Sequence, residues 1–254
     1  MSKNFELLQR AEYGRKVAPV VEFDTAPKTE LKTALAGSNV GPLNVGRMAK
    51  DESLKLVQRL FLAQSSPAIR TVVFAGIDHG NGCSRICADA AATLAANTAG
   101  SVCVVDANLR SPTLPEMFGV TNHFGLADAL RMDGPARRFA RQLRPDNLWL
   151  LSCGSTIVGS SVVLDRDRLK LRLAALREEF DYVLIDTPPL NQYDDAVVLG
   201  QFADGLVLVL EANATRREPA LRVMENLRAA QIQVLGAVLN KRTFPIPEAL
   251  YHRI

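Results

Sequence analysis

Residues 71–96 read TVVFAGIDHGNGCSRICADAAATLAA. A β-branched apolar run at 71–75 enters a glycine turn, Gly80-Asn81-Gly82, and the alanine-rich stretch at 84–96 predicts a helix. Strand, glycine loop and helix in immediate succession form the geometry that grips phosphate. Backbone N–H groups of the loop and first helical turn converge on an anion, and the helix dipole adds partial positive charge. Glycine lets the backbone come close because no Cβ intervenes. The candidate phosphate-binding residues are therefore Gly80, Asn81, Gly82, Cys83, Ser84 and Arg85. The spacing is nearly that of a P-loop, G-x-x-x-x-G-K-[ST]. Ser84 keeps the hydroxyl that would hold Mg²⁺, but Cys83 stands at the lysine position and a thiol supplies no cation. Taken alone, the loop also reads as a plain strand-to-helix turn of an α/β fold.

The rest of the chain supplies the sheet. Apolar strands are predicted at 101–106, 147–153, 182–186, 205–210 and 234–240, with helices at 51–63, 125–131, 165–180 and 217–230. Near-continuous Val and Leu strands alternating with helices predict a doubly wound, mainly parallel sheet covered on both faces. In the helix at 51–63, capped by Asp51, the buried face would carry Leu54, Val57, Leu60 and Phe61. Pro112 and Pro115 should break regular structure after the second strand. Residues 3–15 favour an amphipathic helix, and 16–50 is weakly patterned and reads as an arm or linker. The expected organisation is an N-terminal helix and arm at 1–50 and a P-loop NTPase-like domain at 51–254 with a short C-terminal tail.

Composition narrows the class. The net charge of +3 is mild. Arg137, Arg138, Arg141 and Arg144 cluster with no Tyr or Trp between them, which argues for a solvated helix face and against a nucleic-acid partner. Four cysteines without a disulfide framework suit a reducing cytosol. Cys83 and Cys87 could share a helix face, but no histidine adjoins them. No apolar run approaches the length of a membrane span and no secretory leader is evident, so a cytoplasmic location without a direct span is expected.

Ligands of open parallel sheets bind at the carboxyl ends of the strands. Three features converge there: the 80–84 loop, Asp106 ending one strand, and Asp186 ending YVLID. Asp186 suits a Walker B carboxylate that orients Mg²⁺ with Ser84, and Asp106 suits a second metal position or a base toward an attacking hydroxyl. A dinucleotide-binding enzyme also places an acidic residue after its second strand. Here the third glycine of G-x-G-x-x-G is replaced by Arg85, and the DTPP at 186–189 stays unexplained.

VCVVDANLRSPTLPEMFG (102–119), GLADAL (125–130), FDYVLIDTPP (180–189), ADGLVLVLEANATRRE (203–218) and VLGAVLNK (234–241) together resemble the bacterial tyrosine autokinases of capsule and exopolysaccharide production. These are deviant-Walker P-loop NTPases. The resemblance covers about 50–245. It implies a kinase that binds ATP, ADP and Mg²⁺, with Asp106 and Asp186 catalytic and Ser84, Asp106 and Asp186 about the metal. The asparagine of the last strand, Asn240 here, faces the adenine in related ATPases. It further implies a membrane polysaccharide chain-length regulator (co-polymerase) as partner, which would hold the protein at the inner face of the membrane. Ring-like homo-oligomers are implied as well, with tail tyrosines that accept phosphate.

Five features depart from the family, one of them the helix at 51–63, which has Glu52, Lys55 and Arg59 but not the family's ring-forming E-x-x-R-x-x-R pattern. Cys83 replaces the lysine, Asp78 stands where a second lysine is frequent, and Asn108 replaces the second aspartate of D-x-D. The tail carries one tyrosine, Tyr251, as the candidate phosphorylation site. Loss of a single preorganised electrostatic contact commonly costs roughly 2.7–4 kcal/mol of barrier, and a lost cation at the transferring phosphate falls at the upper end or beyond, so kinase activity is expected to be weak or absent unless Arg85 or Arg110 substitutes. The expectation is a tyrosine-autokinase-like regulator, with a catalytically silent, nucleotide-sensing pseudokinase as the alternative.

Overall fold

The computed structural model describes residues 21–22, 45–62, 68–154 and 166–242. The helix expected at 3–15, most of the arm, and the tail with Tyr251 lie outside these residues. The strands are β1 (Val21–Glu22), β2 (Thr71–Gly76), β3 (Val102–Asp106), β4 (Arg141–Gln142), β5 (Leu148–Leu151), β6 (Tyr182–Asp186), β7 (Gly205–Glu211) and β8 (Val234–Asn240). They form one sheet in the order β1-β8-β7-β2-β6-β3-β5-β4, parallel throughout except where β4 runs against β5. The helices are α1 (Val45–Val57), α2 (Cys83–Asn97), α3 (Leu114–Met117), α4 (Leu126–Ala129), α5 (Arg166–Glu179), α6 (Asp195–Gly200) and α7 (Arg217–Ala229). The expected doubly wound α/β fold is the fold observed.

Alternation along each strand sends side chains into two cores. Val72 and Phe74 of β2 join Val104 and Leu184 beneath α1 and α2. Val73 and Ala75 join Val105 and Ile185 beneath α5, α6 and α7. Every residue of β2 and β3 is buried, which is why these strands read as unbroken apolar runs. Ala90, Ala91 and Ala95 let α2 lie close against the sheet that it follows.

Several boundaries differ from expectation. The first helix begins at Val45, so Asp51 is an exposed interior residue rather than its cap. A π-turn at Gln58–Leu62 rotates the helix end so that Leu60 and Phe61 bury along with Leu56 and Val57, while Leu54 is half-buried. Within the stretch read as an arm, β1 pairs with β8 through Val21↔Val238 and Glu22↔Leu239. Pro115 does not prevent α3, because it occupies the first turn, where its missing N–H has no helical partner to lose.

The arginine cluster is not a helix face. Ala136–Arg138 is a 3₁₀ turn leading into β4. The Glu179 carboxylate accepts from the N–H groups of Ala136 (2.5 Å) and Arg137 (2.8 Å) and so holds that turn. The Arg137 guanidinium lies 4.7 Å from the Phe180 ring centroid and 5.0 Å from that of Trp149, and donates to the Glu179 carbonyl at 2.7 Å.

Candidate functional site

β2, β6 and β3 are adjacent, and their carboxyl ends bring Gly76, Asp186 and Asp106 to one edge of the molecule. Asp106 and Asp186 are register partners on neighbouring strands. From Gly76 the chain turns through Gly80 and Gly82, both at φ +83°, and enters α2. Gly82 is the N-cap of α2 and no side chain caps that end, which leaves first-turn N–H groups for an anion.

Two buried asparagines brace the loop from below. Asn81 Nδ2 donates to the carbonyl of Val209 at 2.9 Å, and Asn240 Nδ2 donates to the carbonyl of Asn81 at 2.8 Å. A Cβ on Gly82 would overlap the Asn240 amide, and a Cβ on Gly76 would overlap that of Asn81. On the other side, the segment after β6 is laced to the loop. Leu190 N–H and Asn191 N–H donate to the carbonyls of Gly76 and Ile77, and Asn191 Nδ2 donates to Asp78 at 2.6 Å. Thr187 Oγ1 donates to the Phe74 carbonyl. Sequence reasoning missed Thr187 and Asn191; the unusual DTPPLN run was the available signal.

The two carboxylates differ. Each Asp106 oxygen accepts one backbone N–H, from Asn108 at 3.2 Å and from Leu114 at 3.1 Å, so Asp106 shapes the ANLR loop and the start of α3. Burial pushes its pKa up to about 6. Asp186 is fully buried and neither of its oxygens has a hydrogen-bond partner. Burial and then the nearby Asp106 charge push its pKa up to about 7, although the Ser84 hydroxyl and Cys83 thiol lie close enough to draw it partly back. The Cys83 thiol is pushed well above its ordinary range by burial, with Asp186 and Cys87 adding to the effect, so it stands as a neutral SH.

Neither arginine considered as a substitute cation is directed at the loop. Arg85 Nε donates to Asp89 at 2.8 Å along the outside of α2. Arg110 lies 4.0 Å over the Tyr193 ring and 3.5 Å from Asp195. Among the described residues no group of three or more His, Cys, Asp or Glu could hold a metal ion, so Cys83 and Cys87 form no metal site with a third such ligand.

A parallel sheet with this strand–loop–helix and twin strand-end carboxylates is matched by a family model, ParA, described as NUBPL iron-transfer P-loop NTPase, over residues 70–252. The chain belongs to the ParA family of P-loop NTPases. Tyrosine-protein kinase YwqD of Bacillus subtilis is 28% identical to this ParA-family chain over 203 residues, covering 78% of it and 85% of YwqD. The kinase domain of Escherichia coli tyrosine kinase ETK matches with a TM-score of 0.73 and 22% identity, over 89% of this chain and 92% of that one. The septum site-determining protein MinD of Pyrococcus horikoshii, complexed with Mg-ADP, matches with a TM-score of 0.59 and 22% identity, over 72% of this chain and 76% of that one. The resemblance to bacterial tyrosine kinases is thus borne out. The matching family model is a P-loop NTPase rather than a dinucleotide-binding fold. No described helix of this ParA-family chain is long and apolar enough to cross a membrane.

Proposed function

We propose that this chain is a tyrosine-kinase-like, nucleotide-binding regulator of exopolysaccharide or capsule production whose phosphoryl transfer is impaired. The observation that carries the reading is the unpartnered, buried Asp186 carboxylate beside Ser84, under a positive-φ glycine loop toward which neither Arg85 nor Arg110 is directed. An orphaned carboxylate next to a hydroxyl fits a divalent cation, and an uncapped helix N-terminus fits phosphate. Mg²⁺ with ATP or ADP suits these residues: Ser84, Asp186 and, further back, Asp106 toward the metal, and the backbone of Gly80, Asn81, Gly82, Cys83, Ser84 and Arg85 toward the phosphates. The bound metal would supply charge neutralisation at the phosphates. What the loop lacks at position 83 is the lysine cation, and a barrier penalty at or beyond the upper end of roughly 2.7–4 kcal/mol leaves phosphoryl transfer at least about 10³-fold slow.

The partner class is a membrane chain-length regulator, and the working form is a homo-oligomer at the cytoplasmic face. Tyr251 is the tail position for phosphate. Calorimetric titration with Mg·ATP and Mg·ADP tests the nucleotide reading, and absence of heat with both overturns it. Cys83→Lys returns the cation and sets it beside the orphaned Asp186. Affinity for Mg·ATP or turnover should rise at least about tenfold; no gain in either assigns the chain to the catalytically silent, structural alternative.

Asn240 braces the loop in this reading rather than facing a base. Asn240→Ala should weaken Mg·ADP and Mg·GDP by the same factor, about fivefold to twentyfold for a lost buried hydrogen bond. A loss confined to the adenine nucleotide would return Asn240 to the role of base reader.

A further inference from the structure

The charge of this chain is unevenly spread. Residues 130–146 and 166–177 carry ten of the 30 Lys and Arg but three of the 27 Asp and Glu. The fold brings these stretches together at the β4 end of the sheet. Arg168 Nη1 donates to the carbonyl of Leu130, and Arg172 donates to those of Gly134 and Met132, at 2.7–2.9 Å. The two Arg172 bonds are to neutral carbonyls, and Arg172 pairs with no carboxylate among the described residues. Arg131, Arg138, Arg141, Arg144 and Lys170 are exposed and pair with no carboxylate among the described residues.

Apolar tips stand among these cations. Leu171, flanked by Lys170 and Arg172, is 71% exposed, and Met132 and Phe124 are each 41% exposed. Phe124 stacks on Phe139 at 5.2 Å, and the guanidiniums of Arg172 and Arg138 lie 5.0 and 6.0 Å from the same Phe139 ring. Phe124, Arg138 and Arg172 thus meet around the buried Phe139 ring, and Arg172 ties Met132 to them through its carbonyl.

We infer that this face, centred on Arg138, Arg172 and Leu171, adsorbs directly to an anionic phospholipid surface. Long cations answer the headgroup charge, and exposed apolar tips reach the acyl boundary between them. Neither nucleic acid nor an acidic peptide makes equal use of both features. Among the described residues this face offers bases the Phe124 ring, already stacked on Phe139, and no Tyr or Trp platform, since Trp149 lies beneath Arg137, and a peptide of carboxylates leaves Leu171 idle. The contact is separate from the nucleotide site and independent of what that site binds.

Sedimentation of the full chain with phosphatidylcholine vesicles, with and without phosphatidylglycerol, tests it. Binding is expected only with phosphatidylglycerol and should weaken as salt rises. At about fivefold per basic side chain, Arg138→Glu with Arg141→Glu should lower binding more than tenfold, whereas Arg222→Glu on α7 should leave it unchanged. Leu171→Ser should lower it severalfold. These positions are exposed, and circular dichroism verifies that each variant is folded. Equal binding to both vesicle types overturns the inference. So does a Leu171→Ser variant that binds like the unmodified chain, because a purely ionic partner has no use for that side chain. Binding to polyglutamate without binding to vesicles gives the face to an acidic protein instead.

Discussion

Asp186→Asn raises the thermal midpoint of the nucleotide-free protein by roughly 5–10 °C at about pH 8. The ionised carboxylate is fully buried with no hydrogen bond to either oxygen, so the fold carries it at a cost. Its pKa stands at about 7 against an ordinary aspartate value of 3.8. The folded state therefore holds a proton that the unfolded chain has released, and stability falls as pH rises from about 4 to about 7. Below that window both states are protonated; above it the full cost is present, on the order of 2–4 kcal/mol. Asp106, raised to about 6 by burial, adds a smaller effect of the same sign. The amide removes the charge, and its advantage should vanish near pH 4. The same variant should lose the stabilisation that Mg·ADP confers on the unmodified protein, because the cation's partner has gone. Melting curves at the two pH values decide the matter: an advantage of equal size at both would mean that the substituted amide packs better for reasons unrelated to charge.

Gly82→Ala should cost far more than Gly80→Ala, although both glycines sit at φ +83°. At Gly80 nothing lies within 4 Å of an added Cβ, so the penalty is the left-handed backbone alone, about 1–2 kcal/mol. At Gly82 the new methyl overlaps the Asn240 amide. That amide must then leave the Asn81 carbonyl, and a buried acceptor is stranded. The further cost is roughly 1–3 kcal/mol, and the phosphate-facing loop deforms with it. Nucleotide affinity should fall at least a hundredfold in Gly82→Ala and only severalfold in Gly80→Ala. Valine at position 82, β-branched as well, should abolish binding. Comparable affinities for the two alanine variants would contradict the buried brace.

The strands were readable because a parallel sheet covered on both faces demands unbroken Val, Leu and Ile. Val102–Asp106, Tyr182–Asp186 and Val234–Asn240 are nearly bare statements of that demand. Asp106 and Asp186 stood out because a carboxylate ending such a run has no packing reason to be there. The loop brace was not readable. Asn81 and Asn240 are 159 positions apart, and nothing local marks either as the other's partner. The four-residue helix α3 was hidden by Pro115, whose position in the first turn is a matter of one or two residues. Arg137 looked like a solvent charge because its aromatic neighbours, Trp149 and Phe180, arrive from β5 and from the end of α5.

The two residues of β1 give the sheet a removable border. Without them β8 would present its outer row of N–H and C=O groups to any passing strand, and β8 ends in Asn240. Val21 and Glu22 occupy that row at Val238 and Leu239, immediately before the asparagine that holds the phosphate loop. They compete there as part of the same chain, at an effective concentration that a free peptide must exceed. A molecule that adds its own strand to this edge must first evict them, and in doing so it lays hold of the backbone next to Asn240. Truncation to residue 45 does the first half of that work, leaving the sheet open at the border nearest the loop brace.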